Sequence, residues 1–211
     1  IPEVARRDFH GIMLIVSNPV DILTHVAVKL SGLPENRVIG SGTVLDTARL
    51  KYAIGQHLDV DSRSVHAFII GEHGDSEIAA WGSTNVSGIP LTDFCEMRGH
   101  TDHKQEMRRI AEEVKGSAYD IIAKKRATYY GIAMSVRRIC ECIMRDEKSI
   151  LPVSAEMHGE YGIEGIALSM PSIVGSSGFE THVPIQLTPD EADALRRSAG
   201  ILRDVISGLD I

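Results

Sequence analysis

Ile12-Met13-Leu14-Ile15-Val16, halted by Ser17-Asn18-Pro19, is the stretch that decides the fold. An unbroken apolar run of this length fits a strand buried on both faces, as in parallel α/β sheets. Pro19 ends the pairing because it has no N–H to give. Beyond it Ile22, Leu23, Val26, Ala27 and Leu30 recur with a helical period, until Gly32 and Pro34 break it. Residues 37–40 predict a second strand. Residues 43–58 predict a second helix, with Leu45, Ala48, Leu50 and Ile54 on its apolar face. Strand, helix, strand, helix is the order of a doubly wound sheet.

Past residue 60 the pattern changes. Residues 64–70 and, more weakly, 79–86 predict strands. Two helices are expected over 103–125, with a weak point at Gly116, and over 129–144. Strands over 150–157 and 166–174 flank a turn-rich segment. Thr188 then offers an N-cap, Pro189 the first helical position and Glu191 the reciprocal half of a capping box. Leu195, Ala199, Leu202, Val205 and Ile206 form the apolar stripe of that last helix. The chain thus divides into a short α/β piece, residues 1–42, and a larger α+β domain, residues 43–211.

Composition narrows the function. The 211 residues are 43% apolar, enough for a core and too apolar for a disordered chain. A net charge of −7 with no basic patterning argues against nucleic acid and anionic membranes, although a basic patch closed by an oligomer stays open. No apolar run approaches the ~20 residues of a spanning helix, and no signal peptide is expected. Cys95, Cys140 and Cys142 are too few and too odd in number for a disulfide framework, which fits a reducing, cytoplasmic setting. The chain opens on Ile1 rather than Met and reaches a strand pattern by Ile12, which reads as the middle of a protein.

Gly40-Ser-Gly42 sits between strand and helix like the start of a dinucleotide loop, but Leu45 replaces the third glycine. Asp59 and Asp61 precede the next strand, where a ribose-binding acid would follow it. Asp46 and Arg49 share one helix face, as a surface ion pair also would. Gly71-Glu-His73-Gly-Asp-Ser76 closes a strand with a histidine among acids, suited to proton transfer or to a plain turn. Asn18 ends the first strand, at the carboxyl edge where such sheets take ligands. Together these residues make one chemistry. Asp46 orients the His73 imidazole and favours its charged form, Arg49 grips a carboxylate with its fork, and Asn18 donates to an oxygen at the reacting carbon. Cys95, His100 and His103 match no zinc pattern and lack a fourth ligand, so no metal is expected. Ser76 with His73 lacks a nucleophile elbow.

Residues 17–21 (Ser-Asn-Pro-Val-Asp), 40–49 (Gly-Ser-Gly-Thr-Val-Leu-Asp-Thr-Ala-Arg) and 71–76, with 127–133 (Ala-Thr-Tyr-Tyr-Gly-Ile-Ala) and 149–154 (Ser-Ile-Leu-Pro-Val-Ser), carry a resemblance. Taken in order, they resemble the bacterial-type L-lactate dehydrogenases of the lactate/malate dehydrogenase superfamily. The resemblance implies an α/β remnant of a doubly wound NAD-binding domain, followed by an α+β catalytic domain. It implies NAD as cofactor, interconversion of pyruvate and L-lactate at the end of fermentative glycolysis, and a homotetramer. His73 becomes the proton donor and acceptor, with Asp46 as its partner. Arg49, Asn18 and Thr128 bind substrate, although Thr128 also reads as a helix N-cap. Val16, Ser17, Asn18, Ser41 and Ile132 lie around the nicotinamide, although Ile132 also reads as core. A cis Asn18–Pro19 bond is implied too.

Lys51 and His66 match positions that bind a fructose 1,6-bisphosphate effector between subunits. Lysine stands where arginine is commoner, and Lys51 also reads as a solvated helix face. The glycine-rich loop, the ribose acid and the residue that separates lactate from malate fall in an amino-terminal part that these residues do not include. The remnant sheet is therefore expected to show an open edge, and the chain alone to be inactive. Glu72 and Thr128 favour lactate. The alternatives are a malate or other 2-hydroxy acid dehydrogenase, or a non-catalytic fragment.

Overall fold

The computed structural model describes residues 1–209. Helix α1 (Pro2–Ala5) precedes strand β1 (Met13–Ile15), helix α2 (Val20–Ser31), strand β2 (Val38–Gly40) and helix α3 (Val44–Leu58). Five two-residue strands follow: β3 (Val65–His66), β4 (Ile69–Ile70), β5 (Ile78–Ala79), β6 (Asn85–Val86) and β7 (Ile89–Pro90). Then come helices α4 (Leu91–Met97), α5 (His103–Lys125) and α6 (Tyr130–Met144). The long strands β8 (Ser149–His158) and β9 (Glu164–Gly175), strand β10 (Gly178–His182) and helix α7 (Pro189–Ile206) complete the described chain.

The main sheet has the order β1-β2-β8-β9-β10. β1 and β2 are parallel, with α2 as their crossover, and Ile15 stands opposite Gly40. β2 meets β8 antiparallel at one register pair, Gly40 with Ser154. That approach explains the glycines. A Cβ on Gly40 would lie 2.9 Å from the Ser154 Cβ and would run into the Thr24 hydroxyl. Gly42 has φ +52°, and a Cβ there would lie 2.6 Å from the Ser154 nitrogen. The Gly-Ser-Gly segment thus lets two strands and a helix start crowd together. One sheet runs unbroken across residue 42. β1 is its outer strand and is only half-buried, in line with the expected open edge and unlike a strand covered on both faces.

Four apolar clusters hold the layers, the smallest being Ala27, Val28 and Val38 between α2 and β2. Leu50, Ile54 and Leu58 of α3 pack with Val65, Ile69, Ile110 and Val114. Ile166, Leu168 and Met170 of β9 pack under Leu195, Ala199 and Leu202 of α7, joined by Ile22 and Ile70. Ile39, Val44, Ile139, Val153 and Val174 fill the third. The structure departs from expectation in detail. The strand expected over 64–70 is two strands, β3 pairing with β6 and β4 with β5, since the chain changes partner at Ala67–Phe68. The strand expected over 79–86 is interrupted by a 3-10 turn at Trp81–Ser83. Gly116 leaves α5 unbroken. Val205 is exposed, leaving Leu195, Ala199 and Leu202 as the buried stripe.

Both reciprocal bonds of the Thr188–Glu191 capping box form, and α7 starts at Pro189. The cap matters beyond α7, because Ser198 on that helix holds the His73 loop (below). Thr188→Ala should lower unfolding free energy by about 1 kcal/mol. A denaturant titration checks this; an unchanged midpoint would mean that the box adds nothing.

Candidate active site

Two threonines dock α3 onto β4. The Thr43 hydroxyl donates to the Ile69 carbonyl at 2.5 Å, and the Ile69 N–H donates to Thr47 Oγ1 at 2.8 Å. Both are buried, so the first turns of α3 are fixed against the strand that delivers the histidine loop. At the end of β4, Gly71 exchanges both backbone bonds with Ser169 of β9, at 2.9 and 3.1 Å. Its φ is +91°, and a Cβ would meet Ile78 Cδ1 at 2.7 Å, so glycine is required. The Glu72 N–H donates to Ser198 Oγ at 3.0 Å, and the Ser76 hydroxyl bonds both Ser198 and the Glu72 carboxylate. Tyr119 donates to Asp75 at 3.0 Å, and Lys115 donates to the Asp75 carbonyl. The loop is thereby fastened to β9, α5 and α7.

This scaffold brings His73 Nδ1 to 2.6 Å from Asp46 Oδ2. Asp46 is 3% exposed, and its other oxygen accepts from Arg49 Nη1 at 3.1 Å. Against an ionised carboxylate Nδ1 carries the proton, leaving Nε2 as the ring nitrogen free to exchange one. The hydrogen bond to Asp46 raises the His73 pKa above its ordinary value, against the pull of burial; charge on Asp46 and Asp21 adds to the rise. The imidazolium therefore persists to higher pH than in free histidine.

Glu77 stands close by and escaped the sequence reading, since it lies outside both the histidine motif and any apolar period. Ligand atoms of Asp46, His73 and Glu77 lie within 4.8 Å of one another, the one such group of three among the described residues. Burial, then the charge of Asp46, pushes the Glu77 carboxyl up to about 8. Near neutral pH it is an uncharged acid, which spares the site a second negative charge beside Asp46.

Val16, Asn18, Ser41, Arg49, His73, Thr128 and Ile132 line one cavity of about 240 Å³. Four segments far apart in sequence thus meet at one place. Ser17 is exposed beside Asn18 and is not among the lining residues. The Asn18–Pro19 bond is cis. Gly42, Leu45, Ala118 and Ile122 complete the wall, and the ordinary helical apolar positions Leu45, Ala118 and Ile122 gave no signal of it. Val16 and Ile132 offer apolar surface, and Asn18 and Ser41 offer polar atoms. That set fits a flat ring bearing an amide, the nicotinamide end of NAD.

Lys51 and His66 line a separate cavity of about 480 Å³ with Arg138, which the sequence reading missed. Lys51 is half-buried there, and loss of solvent lowers its pKa below the usual lysine value. Arg138 donates to Ser149 Oγ at 2.8 Å and pairs with Glu147. Three basic side chains around one hollow favour an anion over open solvent. No helix among the described residues is long and apolar enough to cross a membrane.

Comparison with known proteins agrees with the resemblance. Residues 1–40 match the lactate/malate dehydrogenase NAD-binding domain, and residues 43–209 match the lactate/malate dehydrogenase alpha/beta C-terminal domain. The L-lactate dehydrogenase of Thermoanaerobacterium saccharolyticum is 50% identical over 211 residues, covering 100% of this chain and 68% of that protein. The enzyme of that name from a Thermoanaerobacter species is 52% identical over the same span. The crystal structure of the minor L-lactate dehydrogenase of Enterococcus mundtii with ligands bound superposes with a TM-score of 0.94 at 42% identity, covering 100% of this chain and 68% of that one. With the family's two domains matched along its length and relatives at half identity, the chain belongs to the lactate/malate dehydrogenase family.

Proposed function

We propose that this chain carries the substrate-activating part of an NAD-dependent L-lactate dehydrogenase, interconverting pyruvate and L-lactate. The observation that carries this reading is the His73–Asp46–Arg49 arrangement at the wall of the cavity. In pyruvate reduction the carbonyl oxygen takes the proton from His73 Nε2, while Asp46 holds the ring and balances its charge. Arg49 keeps donors beyond its bond to Asp46 and turns them to the substrate carboxylate. Asn18 donates to the reacting oxygen, and Thr128 closes the pocket beside it. Bound NADH supplies the hydride; Val16, Ser41 and Ile132 seat the nicotinamide, with Ser17 next to them. Lactate rather than malate is supported by Thr128 and by Glu72, which braces the loop through Ser76. Three unpaired thiols support a reducing, cytoplasmic setting.

The test joins this chain to the amino-terminal third of the 52%-identical relative and follows pyruvate-dependent NADH oxidation. Reduction needs protonated His73, so the rate should fall as pH rises through the raised His73 pKa. His73→Asn should cost about 10²–10⁴-fold. Asp46→Asn should move the alkaline limb to lower pH, because the bond that raises the imidazole pKa is lost. Near-normal turnover by His73→Asn would remove the assignment.

A second reading concerns regulation and rests on the Lys51–His66–Arg138 cavity. We infer that it takes a phosphate of fructose 1,6-bisphosphate and that the enzyme works as a homotetramer. The bisphosphate should then lower the pyruvate concentration needed for half-maximal rate and should shift the sedimentation of the protein toward the tetramer. Lys51→Gln should blunt both effects. Flat kinetics across effector concentrations would leave Lys51 a partly covered surface charge.

A further inference from the structure

Asp21 lies in the first turn of α2, three residues beyond Asn18, and the reaction outlined above makes no use of it. It is 2% exposed. Its Oδ2 accepts the backbone N–H of His73 at 2.7 Å, and its Oδ1 accepts the Ser169 hydroxyl at 3.1 Å. Ser169 is also the residue whose backbone brackets Gly71. One buried carboxylate therefore ties together the helix that follows Asn18, the loop that carries His73 and the strand that anchors that loop.

A carboxylate at such a depth is costly to ionise, and neither of its two bonds comes from a cation. A neutral amide could keep both contacts at a smaller desolvation cost, its oxygen accepting the His73 N–H and its NH2 donating to Ser169 Oγ. What it could not provide is negative charge behind His73. Burial pushes the Asp21 carboxyl up, while the nearby Ser154 hydroxyl, the His73 N–H, the Ser169 hydroxyl and the charge of His73 pull it down. The ionised state of Asp21 and the protonated state of His73 therefore support each other. Other titratable and charged groups around His73 are Asp46 and Arg49 on α3, Glu77 before β5, with Lys115 of α5 beyond it, and Glu72 and Asp75 in its own loop.

We propose that Asp21 is a positioning residue of the acid–base pair, fixing the His73 main chain relative to Asn18 and lending its charge to the imidazolium. The inference rests on the reading of His73 as the acid–base group. Asp21→Asn keeps the shape and removes the charge. In the 211-residue chain, the NMR titration of the His73 ring should move to lower pH. In the chain joined to its relative's amino-terminal third, kcat for pyruvate should fall about tenfold to a hundredfold, with the pyruvate KM changing less. The alkaline limb should move down together with the ring titration.

A residue that only held the fold would lower the melting temperature and leave the ring titration and the limb in place. That result would overturn the proposal. Should Asp21→Asn not accumulate as folded protein, Ser169→Ala carries the test. It withdraws one donor from the carboxylate, so a smaller shift in the same direction is expected, and an unmoved titration would count equally against the idea. Absence of turnover in the unsubstituted joined protein would overturn the dehydrogenase reading alone, since the ring titration is measured without it.

Discussion

The Asp46 carboxylate, buried and shared between His73 Nδ1 and Arg49 Nη1, is the constraint on which the rest of the site depends. Buried carboxylates are stable only when their lone pairs are satisfied, and here the two partners that satisfy them are the two groups proposed to work on the substrate. The geometry of each is thus set by the other. Moving Arg49 would loosen Asp46, and loosening Asp46 would release the ring. Thr43 and Thr47 earn their burial in this light, since they pin the helix that presents Asp46 to the strand that presents His73.

The surrounding fold serves that constraint. Gly71 lets the chain turn sharply after β4, and Ser169, Ser198, Lys115 and Tyr119 then hold the loop from three sides. Such a loop keeps its catalytic distances without substrate present, which is the condition for a proton to move over a short fixed path. Glu77 shows the electrostatic limit of the arrangement. A second ionised acid beside Asp46 would repel a substrate carboxylate approaching Arg49, and burial keeps Glu77 protonated near neutral pH instead.

Much of this was legible in the sequence, for definite reasons. The long periodic elements α2, α3, α5, α6, β8, β9 and α7 announce themselves, because burial of one face imposes a repeat on ten or more residues. The site motifs are legible because glycines, a histidine and paired charges are confined to short segments where few other residues would serve. The strands expected over 64–70 and 79–86 mark the place of β3 to β6, but their division into two-residue pieces and the existence of β7 are not legible, since a pairing that short leaves no alternation to read. β10 and α4, of five and seven residues, are too short for a periodic face to stand out. Glu77 and Asp21 show no pattern, because their importance lies in contacts made across the fold. Arg138 looked like one more charge on a helix until the hollow beside Lys51 gave it a neighbour.

If Asp46 fixes the imidazole as proposed, Nε2 alone exchanges the proton. Nitrogen-15 NMR of the His73 ring across a pH titration tests it directly. Nδ1 is expected to keep its proton throughout while the Nε2 resonance moves from the protonated to the deprotonated position. Loss of the proton from Nδ1, with Nε2 remaining protonated, would contradict it.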